Sequence, residues 1–478
     1  MNVLWTADAL VEATGGRPHG QLPPAGIGGI SIDSRTLRPG DAFFAIKGES
    51  MDGHDFATAA VKAGAGVLVV AESKLPALGR LTAPLIVVPD VLVALEKAGR
   101  AARERSRAKI VAVTGSAGKT STKEALRHVL SAVGTVHASD KSFNNHWGVP
   151  LTLARLPQDC DFGIFEIGMN HPGEIRSLVK MVRPHVTIVT LIAAAHLGHF
   201  RNLDDIARAK AEIFEGLEPG GAALLNRDDQ RYGLLAKLAK AQRVTRILGF
   251  GEDARADFRL LDCTLAADSS TIRARIGDTE VAARIGAPGR HVVQNALAVL
   301  GAASLVGADI GKVAEALGGI EAEQGRGRRY RLALPGGAFT LIDESYNANP
   351  ASMQAAMALL ATTPVEAGGR RIAVLGDMLE LGSHSAELHA ALAEPVKKSG
   401  ADLVLLAGTE MKALADALPK GLAAEYRADA ESLKAVLLDA VRPGDAVMIK
   451  SSKGIGFSRL VDALIAQYPA QAGQQKPA

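Results

Sequence analysis

The chain is poor in cysteine and carries almost no excess of charge of either sign. Its two cysteines, Cys160 and Cys263, lie far apart in a sequence of 478 residues, so we expect neither a zinc site nor a disulfide framework. The formal net charge of +3 is small for this length and gives no electrostatic reason to expect nucleic acid or a membrane surface as the main partner. The cytoplasm is the expected compartment.

Long apolar runs are also missing. No stretch reaches about 18 uninterrupted apolar residues, and residues 1–10 include Asp8 instead of the basic start and apolar core of an export signal. We therefore expect neither export nor stable membrane insertion. Hydrophobic residues still make up 47% of the chain, and a length of 478 residues predicts about three domains.

Apolar, β-branched runs separated by helical stretches predict an α/β protein in three segments, 1–106, 107–322 and 323–478. The charged run 100–109 is typical of a solvated helix end or linker. The second segment predicts a largely parallel sheet, and the third a doubly wound unit. Candidate strands lie at 42–46, 67–70 and 85–88, then at 110–113, 162–167, 186–191 and 222–225, then at 340–343, 372–375, 403–406 and 446–449. Candidate helices include 204–217, 386–398 and 432–441.

The stretch 114–120, Thr-Gly-Ser-Ala-Gly-Lys-Thr, follows an apolar strand and precedes a helical pattern. Glycines let backbone N–H groups approach phosphate oxygens, and a helix N-terminus adds positive potential. Lys119 can then reach the β- and γ-phosphates, and Thr120 can place its hydroxyl on Mg²⁺. Val113 stands where the usual loop has its first glycine, so this is a shortened form. The predicted nucleotide-binding residues are Gly115, Ser116, Ala117, Gly118, Lys119, Thr120 and Ser121. A purely structural glycine turn is the alternative.

Two residues that follow apolar strands are candidate metal ligands. The strand that begins at Phe162 runs directly into Glu166, which places a carboxylate at the edge where open α/β sheets bind ligands. His196 follows the strand 186–191. The alternatives are a surface carboxylate at a strand end and a structural histidine.

Lys210 lies on an apolar helix face. In the stretch 204–217 it falls on the stripe formed by Ile206, Ile213, Phe214 and Leu217. One interpretation is a lysine that extends its ammonium to the helix edge. The other is that burial lowers its pKa, so that the neutral amine can take up CO₂ and become a carbamate, an anionic oxygen ligand for a metal. Spacing alone leaves both open.

Seven motifs together resemble the Mur ligases, over nearly the whole chain, and within that family the members that add D-alanyl-D-alanine to UDP-N-acetylmuramoyl-tripeptide. Two of them, Ser345-Tyr346-Asn347-Ala348-Asn349-Pro350 and Gly376-Asp377-Met378-Leu379-Glu380-Leu381-Gly382, are the most specific. The others are the shortened loop 114–120, Asn144-Asn145 with Gly148-Val149-Pro150, Glu166-Ile167-Gly168-Met169-Asn170, Ala195-His196-Leu197 through Phe200, and Ala209-Lys210 with Glu212-Ile213.

The resemblance implies three domains: an N-terminal UDP-substrate-binding α/β domain, a central ATP-binding parallel-sheet domain, and a C-terminal Rossmann-like domain that binds the dipeptide. It also implies two Mg²⁺ ions, the first on Thr120 and Glu166, the second on His196 and a carbamylated Lys210. We expect a monomer that takes ATP and these small-molecule substrates.

Further site residues come from the same resemblance. Asn295 matches an adenine-binding asparagine, because Val292 replaces the other asparagine that is usual there, and Arg326 matches an arginine that reaches the phosphates. The residues implied for the uridine diphosphate end of the substrate are Ser34, Arg35, Lys47, Gly48, Asp52 and His54. Those implied for the muramoyl part are Asn144 and Asn145, and those that line the cleft between the last two domains are Asp343, Glu344, Tyr346 and Asn347. Lys450-Ser451-Ser452-Lys453 replaces the common Lys-Gly-Ser-Arg, which leaves Lys450 and Lys453 without a role.

Three other functions share parts of this pattern. The ligase that adds the third residue of the peptide has an Asp-Asn-Pro-Arg signature, which is absent here. Folylpolyglutamate synthetase shares the loop but lacks a UDP-binding first domain. An ATPase that uses hydrolysis as a conformational switch would need no acceptor amine. Such an ATPase would also give no reason for Lys210 to lie on an apolar stripe.

Overall fold

The computed structural model describes residues 3–79, 81–140, 142–195 and 197–470. These residues form three β-sheets, which lie within 17–88, 109–285 and 328–450 and are covered by helices. The predicted α/β fold in three parts is therefore confirmed. Because each sheet lies inside one predicted segment, we propose 1–106, 107–322 and 323–478 as the domains. No helix in the described part of the chain is long and apolar enough to cross a membrane.

The first sheet has the order β1-β5-β4-β3-β2, and its strands are parallel except that β1 runs antiparallel to β5. The inner strands are buried on both faces, which is why they read as continuous apolar runs. The strands are β1 (Arg17–His19), β2 (Ile30–Ser31), β3 (Ala42–Phe44), β4 (Val67–Ala71) and β5 (Leu85–Val88). The helices of this domain are α1 (Ala7–Thr14), α2 (Ala57–Lys62), α3 (Leu75–Leu78) and α4 (Val91–Arg105).

The second sheet has the order β14-β13-β12-β11-β10-β9-β6-β8-β7. It is parallel from β7 to β12, whereas β12, β13 and β14 form an antiparallel meander that the sequence analysis did not predict. Buried and exposed residues alternate in β13, so these strands lack the continuous apolar run that marked the others. The strands are β6 (Lys109–Thr114), β7 (Val136–Ala138), β8 (Phe162–Glu166), β9 (Val186–Val189), β10 (Ala222–Asn226), β11 (Arg246–Gly251), β12 (Phe258–Leu265), β13 (Ser270–Ile276) and β14 (Thr279–Ile285).

Helices cover both faces of the second sheet, with one apolar core on each side. The helices are α5 (Lys119–Leu130), α6 (Gly148–Ala154), α7 (Glu174–Val182), α8 (Leu203–Ala211), α9 (Tyr232–Ala241), α10 (Arg290–Leu305) and α11 (Ile310–Ala316). The predicted helix 204–217 corresponds to α8 followed by a 3₁₀ turn, Glu212–Gly216.

The first two domains share an apolar core, in which α4 packs against α6. Leu95 of α4 and Leu151 of α6 both belong to it. The indole N–H of Trp5 also donates to the carbonyl oxygen of Ala154 at 2.9 Å. These contacts fix the first domain against the central one.

The charged run 100–109 does contain a helix end, but it is not solvated throughout, because Arg103 is buried. Its side chain lies in α4 and is only 5% exposed. Its guanidinium donates to the carbonyl oxygens of Val182 at 2.8 Å and Arg183 at 2.7 Å, at the end of α7. Arg103 therefore satisfies two carbonyl groups that the helix end leaves free.

The third sheet has the order β15-β16-β20-β17-β18-β19 and is parallel except for β15. Its strands are β15 (Arg328–Leu334), β16 (Gly337–Glu344), β17 (Arg371–Gly376), β18 (Leu403–Ala407), β19 (Ala423–Arg427) and β20 (Ala446–Lys450). Its helices are α12 (Pro350–Thr362), α13 (Ser385–Ala390), α14 (Ala393–Lys398), α15 (Met411–Ala417), α16 (Ala430–Ala440) and α17 (Ser458–Gln467). The single helix predicted at 386–398 is divided into α13 and α14, since Pro395 lacks the N–H that a continuous helix would use.

Candidate active site

A cleft of about 1130 Å³ lies between the central and C-terminal domains. The central domain contributes the phosphate loop and the start of α10, and the C-terminal domain contributes the segments that follow β16 and β20. The predicted site residues that line the cleft are Ser116, Ala117, Gly118, Lys119, Thr120, Ser121, Asn144, Glu166, Asn295, Arg326, Glu344, Tyr346 and Asn347, together with Lys450 and Lys453.

The phosphate loop connects β6 to α5, and its two glycines are needed for its shape. Gly118 has φ +82° and precedes the first turn of α5. A Cβ atom at Gly118 would lie 2.7 Å from Oδ1 of Asn295, and one at Gly115 would overlap the Thr190 hydroxyl. Asn295, which is distant in sequence, is therefore directly beside the loop.

The residues that directly follow β9 hold the loop backbone. The N–H of Ser116 donates to the carbonyl oxygen of Leu191 at 2.7 Å. The Thr190 hydroxyl donates to the carbonyl oxygen of Ala117 at 2.5 Å. The loop is therefore fixed to the end of β9, the strand next to β6.

Lys119 lies within this loop, where its Nζ donates to the carbonyl oxygen of Gly115 at 2.8 Å. The surrounding protein atoms displace water from its ammonium, and this desolvation lowers the pKa below the ordinary value of 10.5. The nearby Glu166 opposes this shift, and the nearby Arg326 adds to it. Lys119, Glu166 and Arg326 all line the same cleft.

Glu166 is buried with one oxygen unpaired. Its side chain is 1% exposed, and Oε1 accepts a hydrogen bond from Nδ2 of Asn144 at 2.7 Å. Oε2 finds no hydrogen-bond partner among the described residues. A buried carboxylate oxygen without a partner is unfavourable, and oxygen ligands of this kind suit Mg²⁺. The residues present therefore fit a divalent cation.

Lys210 is 2% exposed in α8, and Ile206, Ile213 and Phe214 of the predicted stripe are buried with it. Burial lowers the pKa of its amine well below the ordinary 10.5, and the nearby ammonium of Lys119 lowers it further. A lysine extended to the helix edge would be exposed there, so that interpretation is wrong. His196 lies outside the described residues.

The segment after β16 forms the opposite wall. The Arg326 guanidinium lies 4.1 Å from the centroid of the Tyr346 ring. Nζ of the buried Lys450 donates to the carbonyl oxygen of Asn347 at 2.9 Å and to Oε2 of Glu344 at 3.1 Å. Lys450 therefore fixes two of the predicted cleft residues.

Asp343 and Asn145 are not among the residues that line the cleft. Asp343 accepts hydrogen bonds from the N–H of Gly325 at 2.7 Å and from the Ser345 hydroxyl at 2.6 Å. Oδ1 of Asn145 accepts from the N–H of Gly148 at 3.0 Å. Both side chains hold the backbone of neighbouring segments.

The residues implied for uridine diphosphate lie in the first domain, and none of them lines this cleft. Arg35 pairs with Asp33 at 2.7 Å. Asp52 accepts from Nδ1 of His54 at 2.6 Å and from Nζ of Lys74 at 2.8 Å. Although burial raises the pKa of Asp52, hydrogen bonds from Lys74 and His54 hold it below its usual range. Asp52 and His54 are therefore engaged in the fold of their loop.

Hydrogen bonds among the described residues also span the cleft, and the sequence analysis assigned no role to most of the residues that make them. A hydroxyl donor paired with a hydroxyl acceptor, or an amide paired with a carbonyl, leaves no pattern in a single sequence. The bonds are Ser142 Oγ to Tyr346 Oη at 2.6 Å, Gly198 N to Glu380 O at 2.9 Å, and Asn349 Nδ2 to Ser116 O at 3.2 Å.

Three family profiles match the chain in order. "Mur ligase family, catalytic domain" matches residues 26–125, "Mur ligase middle domain" matches 113–303, and "Mur ligase, glutamate ligase domain" matches 327–453. The chain is also similar to two proteins named UDP-N-acetylmuramoyl-tripeptide–D-alanyl-D-alanine ligase. The Escherichia coli K12 protein is 34% identical over 93% of this chain and 96% of its own length. The Bacillus subtilis protein is 30% identical over 92% and 93%.

Solved structures give the same result. A crystal structure of MurF from Acinetobacter baumannii is 30% identical and superposes with a TM-score of 0.83, covering 97% of this chain and 99% of its own. The Thermotoga maritima MurF ligase in complex with ADP is 25% identical, with a TM-score of 0.76 and coverage of 92% and 97%. The resemblance predicted from the motifs is confirmed, and the chain belongs to the Mur ligase family.

Proposed function

We propose that this chain is an ATP-dependent ligase that joins D-alanyl-D-alanine to UDP-N-acetylmuramoyl-tripeptide and releases ADP and phosphate. The observation that carries the proposal is the cleft, in which the phosphate loop faces the segment Ser345 to Pro350. A nucleotide bound at the loop and an amine bound at that segment would meet in one space. The two relatives named above carry this activity in their names.

In the proposed site, the loop residues Gly115 to Ser121 bind the ATP phosphates and Lys119 contributes positive charge at the γ-phosphate. Asn295 contacts the adenine, and Arg326 approaches the phosphates from the other wall. Thr120 and Glu166 hold one Mg²⁺, and His196 and Lys210 hold a second. Bound Mg²⁺ would offset the negative charge of the phosphates and of the groups that react with them.

The reaction itself has two steps. A carboxylate of the tripeptide attacks the γ-phosphorus, which forms an acyl phosphate and releases ADP. The amine of the dipeptide then attacks the acyl carbon, the amide bond forms as the nitrogen loses one proton, and phosphate leaves with the electron pair of the broken C–O bond. Lys119 and Arg326 stabilise the negative charge that develops on the transferred group in both steps.

The proposed carbamate at Lys210 follows from its environment. With its pKa lowered by burial, the amine is neutral at a higher fraction than an exposed lysine. A neutral amine adds CO₂, forms an N–C bond and loses one proton, which converts the neutral group into an anion. The anion suits a divalent cation, whereas an ammonium would repel it.

We assign the remaining contacts by domain. The uridine diphosphate end of the substrate would contact Ser34, Arg35, Lys47, Gly48, Asp52 and His54, and the muramoyl part Asn144 and Asn145. Glu344, Tyr346 and Asn347 would contact the dipeptide, and we propose that Asp343 acts on the nucleotide site by positioning the Gly325 backbone beside Arg326. We also propose that the chain acts as a monomer and, because it uses ATP, that it acts in the cytoplasm.

The test is ADP release measured with UDP-muramoyl dipeptide and with tripeptides that end in diaminopimelate or lysine, each with and without D-alanyl-D-alanine. We expect release only when a tripeptide and D-alanyl-D-alanine are both present. Release without an acceptor amine would favour a hydrolytic switch, and release with the dipeptide substrate and a free amino acid would favour a ligase that adds the third residue.

A further inference from the structure

The side-chain amide of Gln294 is held in one orientation by two carboxylates. Gln294 lies in the second turn of α10, and its Nε2 donates to Oδ2 of Asp228 at 2.9 Å and to Oε1 of Glu252 at 3.1 Å. Ionised carboxylates only accept hydrogen bonds, so the NH₂ group must face them. Both amide hydrogens are used, and the carbonyl oxygen must point elsewhere.

The carboxylates that hold Gln294 are themselves fixed. Asp228 also accepts from the backbone N–H groups of Glu252 at 2.8 Å and Asp253 at 2.9 Å. Glu252 also pairs with Arg290. Neither carboxylate therefore depends on Gln294 for its partners, and the amide is the part that the network orients.

The carbonyl oxygen, Oε1, is buried and finds no hydrogen-bond partner among the described residues. A buried carbonyl without a donor is unfavourable, and such positions in folded proteins call for an explanation. Gln294 lines the cleft, so a ligand that enters the cleft with an N–H donor would satisfy the oxygen.

The position of Gln294 in the cleft indicates which part of a ligand it meets. The next residue, Asn295, lies beside Gly118 of the phosphate loop. Phe250 and Asn226 line the same cleft and come from the strands β11 and β10. An aromatic ring and side-chain amides beside the loop suit a flat, polar heterocycle attached to the phosphates.

We propose that Gln294 is a specificity-determining residue for the nucleotide, because its Oε1 accepts a hydrogen bond from the exocyclic amine of adenine. A purine with an oxygen at that position would bring two acceptors together and would bind less well. This inference rests on the proposed function, which makes ATP the phosphoryl donor. It adds that Gln294 selects adenine over other purine bases.

The experiment compares Gln294→Met with the unmodified chain against ATP, purine riboside triphosphate, which lacks the amine, and ITP, which has an oxygen there. Affinity is measured by calorimetry without muramoyl peptide, and kcat/KM by ADP release. For the unmodified chain we expect purine riboside triphosphate to bind about tenfold more weakly than ATP, and ITP more weakly still. In Gln294→Met, ATP should fall to the affinity of purine riboside triphosphate, which itself should be unchanged.

The control is Gln242→Met, which replaces an exposed glutamine after α9 and should leave the order of the three nucleotides unaltered. An equal loss for all three nucleotides in Gln294→Met would assign Gln294 a structural role only and would overturn the proposal. An undiminished preference for ATP in that variant would do the same. If the base preference is lost as expected but no ligation occurs, the ligase activity is wrong and the role of Gln294 stands.

Discussion

Nδ2 of Asn349, in the C-terminal domain, donates a hydrogen bond to the carbonyl oxygen of Ser116 in the phosphate loop at 3.2 Å. Oδ1 of the same amide accepts from the N–H of Ser352 at 2.9 Å and caps α12. One buried side chain thus joins the start of a C-terminal helix to the nucleotide loop of another domain. If the loop moves when the nucleotide binds, this hydrogen bond would transmit the movement to the domain that we expect to bind the dipeptide.

The role of this contact can be separated from helix capping. Asn349→Ser keeps an oxygen that caps α12 but is too short to reach Ser116, so we expect kcat to fall about tenfold with little change in melting temperature. Steady-state ADP release and thermal unfolding measure the two. The matched control is Ser352→Ala, which removes the other half of the capping box and should lower stability by about 1 kcal/mol while kcat holds. A normal kcat in Asn349→Ser would contradict the coupling.

Lys119→Ala should reduce ligation by about 10²-fold to 10³-fold or more, because it removes a positive charge from the phosphates. The described hydrogen bond of its ammonium is to Gly115 in its own loop, so little packing is lost and the fold should survive. ADP release and circular dichroism test both parts. Near-normal turnover by a folded variant would remove the basis for the nucleotide site.

Asn347→Ala should impair use of the dipeptide with ATP affinity nearly intact. Asn347 lines the cleft on the wall opposite the phosphate loop, and Lys450 holds its backbone carbonyl independently of its side chain. The expected result is a raised KM for D-alanyl-D-alanine, with ATP affinity followed by calorimetric titration. A large drop in ATP affinity would show that the two walls do not divide the substrates in this way.

Lys210→Ala should be close to inactive if the lysine is a carbamate, because a metal ion then loses an oxygen ligand. A small carboxylic acid could occupy the vacated space, so added formate or acetate should restore part of the rate. The measurement is the steady-state rate with and without the acid, with added chloride at the same ionic strength as the control. Wild-type activity in the variant would show that no carbamate is required.

Arg103→Met should lower the free energy of unfolding by about 2–4 kcal/mol, because the carbonyl groups of Val182 and Arg183 lose their hydrogen-bond donor in a buried position. Arg100→Met, on the exposed side of the same helix, is the matched control and should change stability by less than about 0.5 kcal/mol. Equal melting temperatures for the two variants would mean that water replaces the guanidinium.

The sequence predicted the α/β class, the three-part organisation and the family, because those depend on short-range patterns. Continuous apolar runs mark strands buried on both faces, as in β4 and β8, and a glycine-rich turn before a helix marks a phosphate loop. The antiparallel meander β12 to β14 was missed because one face of each strand meets solvent and the apolar run is interrupted. The roles assigned to individual site residues stay predictions.

Contacts between distant residues were decided only by the tertiary structure. The sequence placed Lys210 on an apolar stripe but could not tell whether its amine reaches the helix edge, since that depends on which elements cover α8. The reach of Asn349 to Ser116, and the pair of carboxylates that fixes Gln294, depend on how separate domains and strands meet. A single sequence records which groups are available for hydrogen bonds, whereas packing decides which of them meet and which are left for a ligand.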